Sequence, residues 1–315
     1  VTFATVNTPG TTTYTWINNE TSIGLAGSGT GDITSFPAIN TGTSPVVATI
    51  TVTPHYENGS LTCDGTAQTF RITVNPTGQV NDPADIVVCN DAITPTVSFT
   101  TNNTGGTTTY SWTNSDPTIG LLASGNGNIG SFTALNAGTS QVTATIVVTP
   151  HYTSGGKTCD GPTESFTIKV NPSGNVVDPA DQVLCNGEST LAVNFSTNNT
   201  DGATTYTWTN NSTSIGLAAS GTGNIASFAA VNNGASPVTA TIVVTPHYAN
   251  GSVTCDGPTE SFTITVNPTG QVNDPADIVV CNGAASPVVT FVTNRTGGTT
   301  FFDWSSDNKI GRAHV

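Results

Sequence analysis

The chain repeats itself every 96 residues. Asp82, Asp178 and Asp274 each open the tetrapeptide Asp-Pro-Ala-Asp, Cys89, Cys185 and Cys281 follow, and Trp16, Trp112, Trp208 and Trp304 recur at the same interval. A fixed period means that one structural unit is written several times, each copy large enough to close its own core. The repeats run over residues 1–76, 77–172, 173–268 and 269–309, the second and third being complete. Val1 aligns with Val97, so the first copy is expected to start in mid-strand as part of something longer, without its Asp-Pro-Ala-Asp and first cysteine.

The nature of the unit is plainest in Val142 to Pro172, which recurs at Val46 to Pro76 and Val238 to Pro268. Val142, Ala144, Ile146 and Val148 alternate with polar residues, and so do Phe166, Ile168 and Val170. Period-two patterning marks strands with one buried face. The copies of the second arm read FRITVNP, FTIKVNP and FTITVNP, so the Phe, Ile and Val positions stay fixed while Arg71, Lys169 and Thr265 vary on the other face. Asn58-Gly59 and Asn250-Gly251 at the hairpin tips suit type I′ turns. Earlier in the repeat, Ile86 to Cys89, the segment around Val97 and Phe99, and Ile129 to Leu135 read as strands, and Ile119-Gly120-Leu121 with the following glycine cluster reads as a short edge strand and a tight turn. Tyr110 and Trp112 share one face of a third strand, which places Trp16, Trp112, Trp208 and Trp304 in the core between two sheets. With 33 Gly, no Met and abundant Thr, Asn and Ser, the chain predicts an all-β fold: tandem immunoglobulin-like β-sandwiches arranged as beads on a string.

Charge narrows the role. Only 8% of residues are charged and the net charge is -14 with six Lys and Arg, which excludes the basic patch that nucleic acid requires. No apolar run reaches the 18 or so residues of a membrane span. His55, His151 and His247 recur as Pro-His-Tyr without a nucleophile pattern beside them, and read as solvent-facing hairpin residues. Gly27-Ser28-Gly29-Thr30-Gly31 superficially matches a phosphate loop but precedes a strand pattern, so it reads as a turn. Asp82, Asp85, Asp178, Asp181, Asp274 and Asp277 are candidate calcium ligands at the joints, although two carboxylates per joint fall short of the six or more oxygens that calcium takes.

A strand with a cysteine, a Tyr-x-Trp strand, an IGLAASGTGNI-like segment and a VTATI…TPHY…CDGPTESFTITVNP hairpin, in that order, resemble the PKD-like, immunoglobulin-like repeats of very large bacterial surface proteins. Such repeats occur in gliding-motility adhesins and other type IX-exported proteins of Bacteroidota. The resemblance covers Val1 to about Lys309. It departs from ordinary PKD domains after the Trp, where this chain has Trp112-Thr113-Asn114-Ser115-Asp116 in place of an acidic Gly-containing loop. It implies an extracellular or cell-surface location. Residues 310–315, Ile-Gly-Arg-Ala-His-Val, follow a one-residue slip after Trp304 and are similar to an encoded sequencing adapter, so they are read as artefact.

Two cysteines per repeat in a chain with this extracellular character imply disulfides. In an immunoglobulin-like sandwich the loop joining the last two strands lies at the same pole as the N-terminus, which favours Cys89 with Cys159 and Cys185 with Cys255. The rival pairing, Cys63 with Cys89 across the joint, must span a whole final strand. No CxxC spacing supports zinc.

The expected role is that of structural or adhesive spacer repeats without catalysis. Partners are the neighbouring repeats of the same chain, with surface glycans or other cell-surface proteins as further contacts. Two alternatives remain at the level of sequence: a carbohydrate-binding module, whose aromatic platform would be Tyr56, Tyr152 and Tyr248, and a non-catalytic appendage of a secreted enzyme. The joints are short enough that adjacent repeats should stack end to end, with Gly174 permitting some bending.

Overall fold

A computed structural model describes residues 1–307; the assignment made for 310–315 lies outside them. The first repeat contains β1 (Thr11–Asn18), β2 (Ser28–Thr30), β3 (Val46–Asn58), β4 (Leu61–Asp64) and β5 (Gln68–Val74). The second contains β6 (Ile86–Cys89), β7 (Thr107–Asn114), β8 (Ser124–Asn126), β9 (Val142–Ser154), β10 (Lys157–Asp160) and β11 (Glu164–Asn171). The third contains β12 (Gln182–Cys185), β13 (Ala203–Asn210), β14 (Ser220–Thr222), β15 (Val238–Asn250), β16 (Val253–Asp256) and β17 (Glu260–Asn267). The chain separates into two compact units, one of Val1–Asn136 with Val142–Val170, the other of Ala137–Gln141 with everything from Asn171 onward.

Each complete repeat is built on one sheet, in the order β6-β11-β9-β7-β8 or β12-β17-β15-β13-β14, with the short β10 or β16 also on the long strand. In the third repeat the opening strand runs parallel to the last one, Gln182 level with Ile264 and Cys185 with Asn267. The pairings of β9 with β7, β10 and β11, of β7 with β8, of β15 with β13, β16 and β17, and of β13 with β14 are antiparallel. This is the strand order of an immunoglobulin-like sandwich, and the expected alternation holds: Ala144, Ile146, Val148, Phe166, Ile168 and Val170 are all buried. Each such side chain contributes roughly 1.5–3 kcal/mol when fully buried, Ala less.

The opposing layer is thinner than the sequence predicts. The strands expected around Val97 and over Ile129 to Leu135 are reduced to two isolated bridges, Ile93 to Thr133 and Val97 to Ile129. Side chains there supplement a few backbone pairs such as Thr94 N to Phe132 O at 2.9 Å. The Thr94 hydroxyl accepts from Phe132 N at 3.0 Å and donates to Phe132 O at 3.2 Å, and Phe99 N donates to Asn128 Oδ1 at 2.9 Å. Polar side chains beside a backbone offer it an alternative to sheet pairing.

Three other details differ from the sequence reading. Pro117–Ile119 is a 3-10 turn instead of an edge strand, capped by Asp116 and closed by Gly120 at φ 94°, which buries Ile119 completely. The glycine cluster of the first repeat is not wholly a turn, because Ser28–Thr30 pairs with β1 as an edge strand. At the hairpin tips the strands pair through Asn58–Leu61 and Asn250–Val253, so Asn ends the strand and Gly59 or Gly251 opens the two-residue loop at positive φ. A loop-opening Gly is the type II′ requirement; only the second repeat, with Gly155 and Gly156 both at positive φ, has the type I′ pattern.

The tryptophan assignment holds for three repeats. Trp16, Trp112 and Trp208 are buried, whereas Trp304 is 76% exposed. The cause is a missing partner. Trp112 stands opposite Val148 of the long strand, and among the described residues no strand stands opposite Trp304. Residues 269–307 accordingly form no strand, and Val279, Val288 and Phe301 are exposed.

On its other side Trp112 stands opposite Gly125. A Cβ at Gly125 would fall inside the contact radius of the indole Cζ2, and Gly29 and Gly221 repeat this arrangement. The Gly125→Ala variant should therefore lose about 1–3 kcal/mol through overpacking, read as an earlier urea midpoint with a diminished near-ultraviolet indole signal. An unchanged midpoint would show that the ring has room to move.

Candidate functional site

The places where one repeat meets the next are the first candidates for function. Within the first unit the joint is built from the turn at Thr43 to Pro45 and the loop at Asn102 to Gly106. Thr104 N donates to Thr43 O at 2.8 Å. Gly105, at φ 73°, lies so close to Pro45 that a Cβ would stand 2.8 Å from the ring Cδ. Asn75, just past the end of β5, donates from Nδ2 to Ser154 O at 2.9 Å, reaching the hairpin tip of the second repeat.

The second unit repeats this design. Thr200 N donates to Thr139 O at 2.8 Å, Thr296 N to Ala235 O at 2.9 Å, and Asn171 Nδ2 to Asn250 O at 2.9 Å. Asp201 takes the place of Gly105 and adopts a left-handed φ of 63°, a conformation that Asp tolerates better than most residues.

Two further devices hold the joint loop from its own repeat. The Tyr152 hydroxyl donates to Thr104 O at 2.8 Å, and that of Tyr248 to Thr200 O at 2.9 Å. Both tyrosines are fully buried, and Tyr56 likewise bonds Pro9 O. The candidate aromatic platform thus does not exist on Tyr152 and Tyr248: their rings lie under the loop, because the strand carries them on its core-facing side.

The linker itself is anchored. Gln79 N donates to Asn103 Oδ1 at 2.7 Å while Asn103 Nδ2 donates to Thr77 O, and Asn175, Asn199 and Ser173 repeat the pair. Gly174 was expected to permit bending. It is instead buried, and a Cβ there would stand 2.6 Å from Pro246 O, while Gly257 lies against its carbonyl. Glycine serves close approach of two backbones here, not flexibility.

The acidic joint residues divide. Asp85 Oδ1 accepts from Thr167 N at 2.6 Å and Asp181 Oδ1 from Thr263 N at 2.6 Å, latching the linker to the last strand of its own repeat. The amide bond from Thr167 holds the Asp85 carboxyl below its ordinary value. Among the described residues, Asp82, Asp178, Asp274 and Asp277 join no group of three or more side chains fit to hold a metal.

The cysteines contradict the expected pairing. Cys89 is disulfide-bonded, and so is Cys255, but Cys159 and Cys185 are free, as are Cys63 and Cys281. The reason is visible in the third repeat. Cys185 closes its strand level with Asn267, while Cys255 stands level with Tyr248. Val238 pairs with Val266, so the two cysteines are separated by about ten residues of β15, roughly 33 Å. The cysteine ends the opening strand, which carries it away from the pole where that strand begins.

The histidines have partners that sequence reading missed. His151 Nδ1 lies 2.6 Å from Asp160 Oδ1, and its Nε2 lies 2.8 Å from Ser111 Oγ. Thr15, His55 and Asp64 form the same row, as do Thr207, His247 and Asp256. The order alcohol, imidazole, carboxylate is that of a hydrolytic triad. What surrounds it differs. Ser111 is in mid-strand with neighbours on both sides, and the nearby Gly127 and Gly161 amides donate to Tyr110 O and Pro150 O, so they are not free to bind an oxyanion. The row ties three adjacent strands together. His151 and Asp160 stand opposite each other in the ladder, a relation hidden in a sequence that separates them by nine residues.

No family model matches the chain, and no curated protein matches it. Among solved structures it is similar to human CDH23 EC21-23 (15% identity, 70% of this chain and 81% of that one, TM-score 0.31) and to mouse protocadherin-24 EC1-3 (13%, 81% and 90%, TM-score 0.31). The chicken CNTN1 FN1-FN3 domains are similar at 11% identity over 82% of this chain and 90% of that one, with a TM-score of 0.29. At these TM-scores the fold rests on the strand order described above.

Two outcomes follow from the joint chemistry. Tyr152→Phe removes the donor from the Thr104 carbonyl and should cost about 0.5–1.5 kcal/mol, the net value of one hydrogen bond, measured by denaturant titration. For Asp85 the folded pKa is depressed, so its stabilisation is complete above the ordinary carboxylate value and disappears as pH falls through the lower folded value. The Thr167 amide resonance should move in that acid window in the parent protein and stay still in Asp85→Asn.

Proposed function

We propose that this chain is a run of non-catalytic spacer repeats from an extracellular or cell-surface protein, of the PKD-like kind found in bacterial gliding-type adhesins. The observation that carries the reading is the recurrence of one joint. The Thr104 to Thr43 bond returns as Thr200 to Thr139 and Thr296 to Ala235, so the contact is a property of the repeat itself. A repeat whose polar ends recognise another copy of itself is suited to setting distance.

Other features support the same reading. Disulfide-bonded cysteines suit an oxidising compartment. The aromatic platform that a glycan-binding module needs is buried under the joint loop at Tyr152 and Tyr248. The glycine amides beside the alcohol-histidine-carboxylate rows are already bonded to backbone carbonyls, and two of the three rows use Thr. Neighbouring repeats are the partners, and any adhesive contact is repeated weakly along them.

Small-angle X-ray scattering on residues 77–268 tests the spacer role. Two sandwiches of roughly 40 Å each should give a maximum dimension of about 80 Å. A compact particle of roughly 50 Å by the same strand-length estimate would overturn it.

A further inference from the structure

The three joints share one backbone bond but differ at one pair of positions. Thr104 N donates to Thr43 O, Thr200 N to Thr139 O and Thr296 N to Ala235 O. Two residues after the acceptor comes Pro45, Gln141 or Pro237, and the residue after the donor is Gly105, Asp201 or Gly297. The two positions vary together: proline goes with glycine twice, and glutamine with aspartate once. Both members of each pair lie within one compact unit.

Sterics account for the proline joints. A Cβ on Gly105 would stand 2.8 Å from Pro45 Cδ, and one on Gly297 would stand 2.9 Å from Pro237 Cδ, well inside the roughly 3.5–4.0 Å at which carbon atoms pack. The ring carbon cannot swing aside, because it is bonded to the backbone nitrogen. At Gln141 that nitrogen carries only a hydrogen, and the matching loop has a side chain: Asp201 adopts φ 63°, in the same left-handed region as Gly105 at 73° and Gly297 at 77°. A polar relay accompanies this change. Gln141 Nε2 donates to Asn171 Oδ1 at 2.7 Å, Asn171 Nδ2 to Asn250 O at 2.9 Å, and Asn250 Nδ2 to Asp201 O at 2.6 Å. The first joint has Ser154 in place of Asn250, and its hydroxyl donates to Gly105 O at 3.3 Å. Proline offers no donor with which such a relay could begin.

We propose that these two positions form a matching code that decides which repeat can follow which: an end bearing proline accepts only a loop bearing glycine, whereas an end bearing glutamine accepts a loop bearing aspartate. The inference rests on the reading of the chain as spacer repeats that recognise one another, and it adds the residues that set the choice. The Thr amide bond recurs in all three joints and therefore carries no selection. Selection lies in exclusion, since a Cβ set against a proline ring is a clash built against the wrong neighbour. The loop carrying Asp201 is thus barred from the end carrying Pro45, and the second and third repeats cannot exchange places.

Hydrogen exchange at single amides of the full chain tests the code, because the Thr104 and Thr200 amides report whether each joint is closed. Gly105→Asp sets aspartate against proline and should speed exchange at Thr104 at least about tenfold, the scale of an overpacking penalty. Adding Pro45→Gln should bring the rate back to within about twofold of the parent, the ordinary scatter of additive effects. Single and double variants share the left-handed strain of aspartate at position 105, so the rescue isolates the contact with the ring. In the reverse arm Gln141→Pro should release the Thr200 amide by a similar factor, and Asp201→Gly added to it should restore protection; this arm decides the matter if Gly105→Asp does not fold. Unchanged protection of Thr104 in Gly105→Asp, or double variants that exchange as fast as the single ones, would overturn the code. The spacer reading would survive either result, since scattering by the parent repeats tests it separately.

Discussion

The long strand of each repeat is the element on which the rest depends. β9 has thirteen residues, more than the sandwich needs. Its first half pairs with β11 and supplies Ala144, Ile146 and Val148 to the core; its second half pairs with β10 and carries Tyr152 past the core to the joint. One face of one strand thus serves both purposes. Because the side chains of a strand alternate strictly, a one-residue slip would turn the core residues outward and withdraw the tyrosine from beneath the joint loop together.

Core and joint rest on different forces. The core is a hydrophobic stack in which a glycine is pressed against each buried Trp, so that strand and ring approach more closely than any side chain would permit. The joint is polar. Its amides and carbonyls are paired one by one by Thr, Asn and Tyr, and glycines at Gly78 and Gly174 allow backbone to lie on backbone. A chain with few charges and much Asn and Thr is what such a surface requires. Directional hydrogen bonds define an orientation more sharply than apolar contact does, although each contributes only about 1 kcal/mol net.

The rows at His55, His151 and His247 show how little a constellation says by itself. Hydroxyl, imidazole and carboxylate stand at catalytic distances in all three repeats. They lie on the flat of a sheet whose nearby amides are already bonded, and there they bind strands together.

The period of 96 residues, the alternation in the hairpin arms and the Tyr-x-Trp strand were enough to establish an all-β tandem sandwich, because they express local periodicity and burial that neighbouring residues write directly. The core positions of Phe166, Ile168 and Val170 were legible for the same reason. Pairings between distant segments were not. Whether Ile129 to Leu135 forms a ladder depends on segments around Thr94, 35 residues before it in sequence, whose hydroxyl as well as its amide bonds Phe132. The burial of Tyr152 depends on a loop 48 residues away, and Gly174 is enclosed by Pro246 and Gly257, distant from it in sequence. The cysteines are the clearest case: their types and spacing implied disulfides, but which end of the sheet each one reaches was decided by the parallel pairing of the first and last strands, and that is a property of the tertiary fold alone.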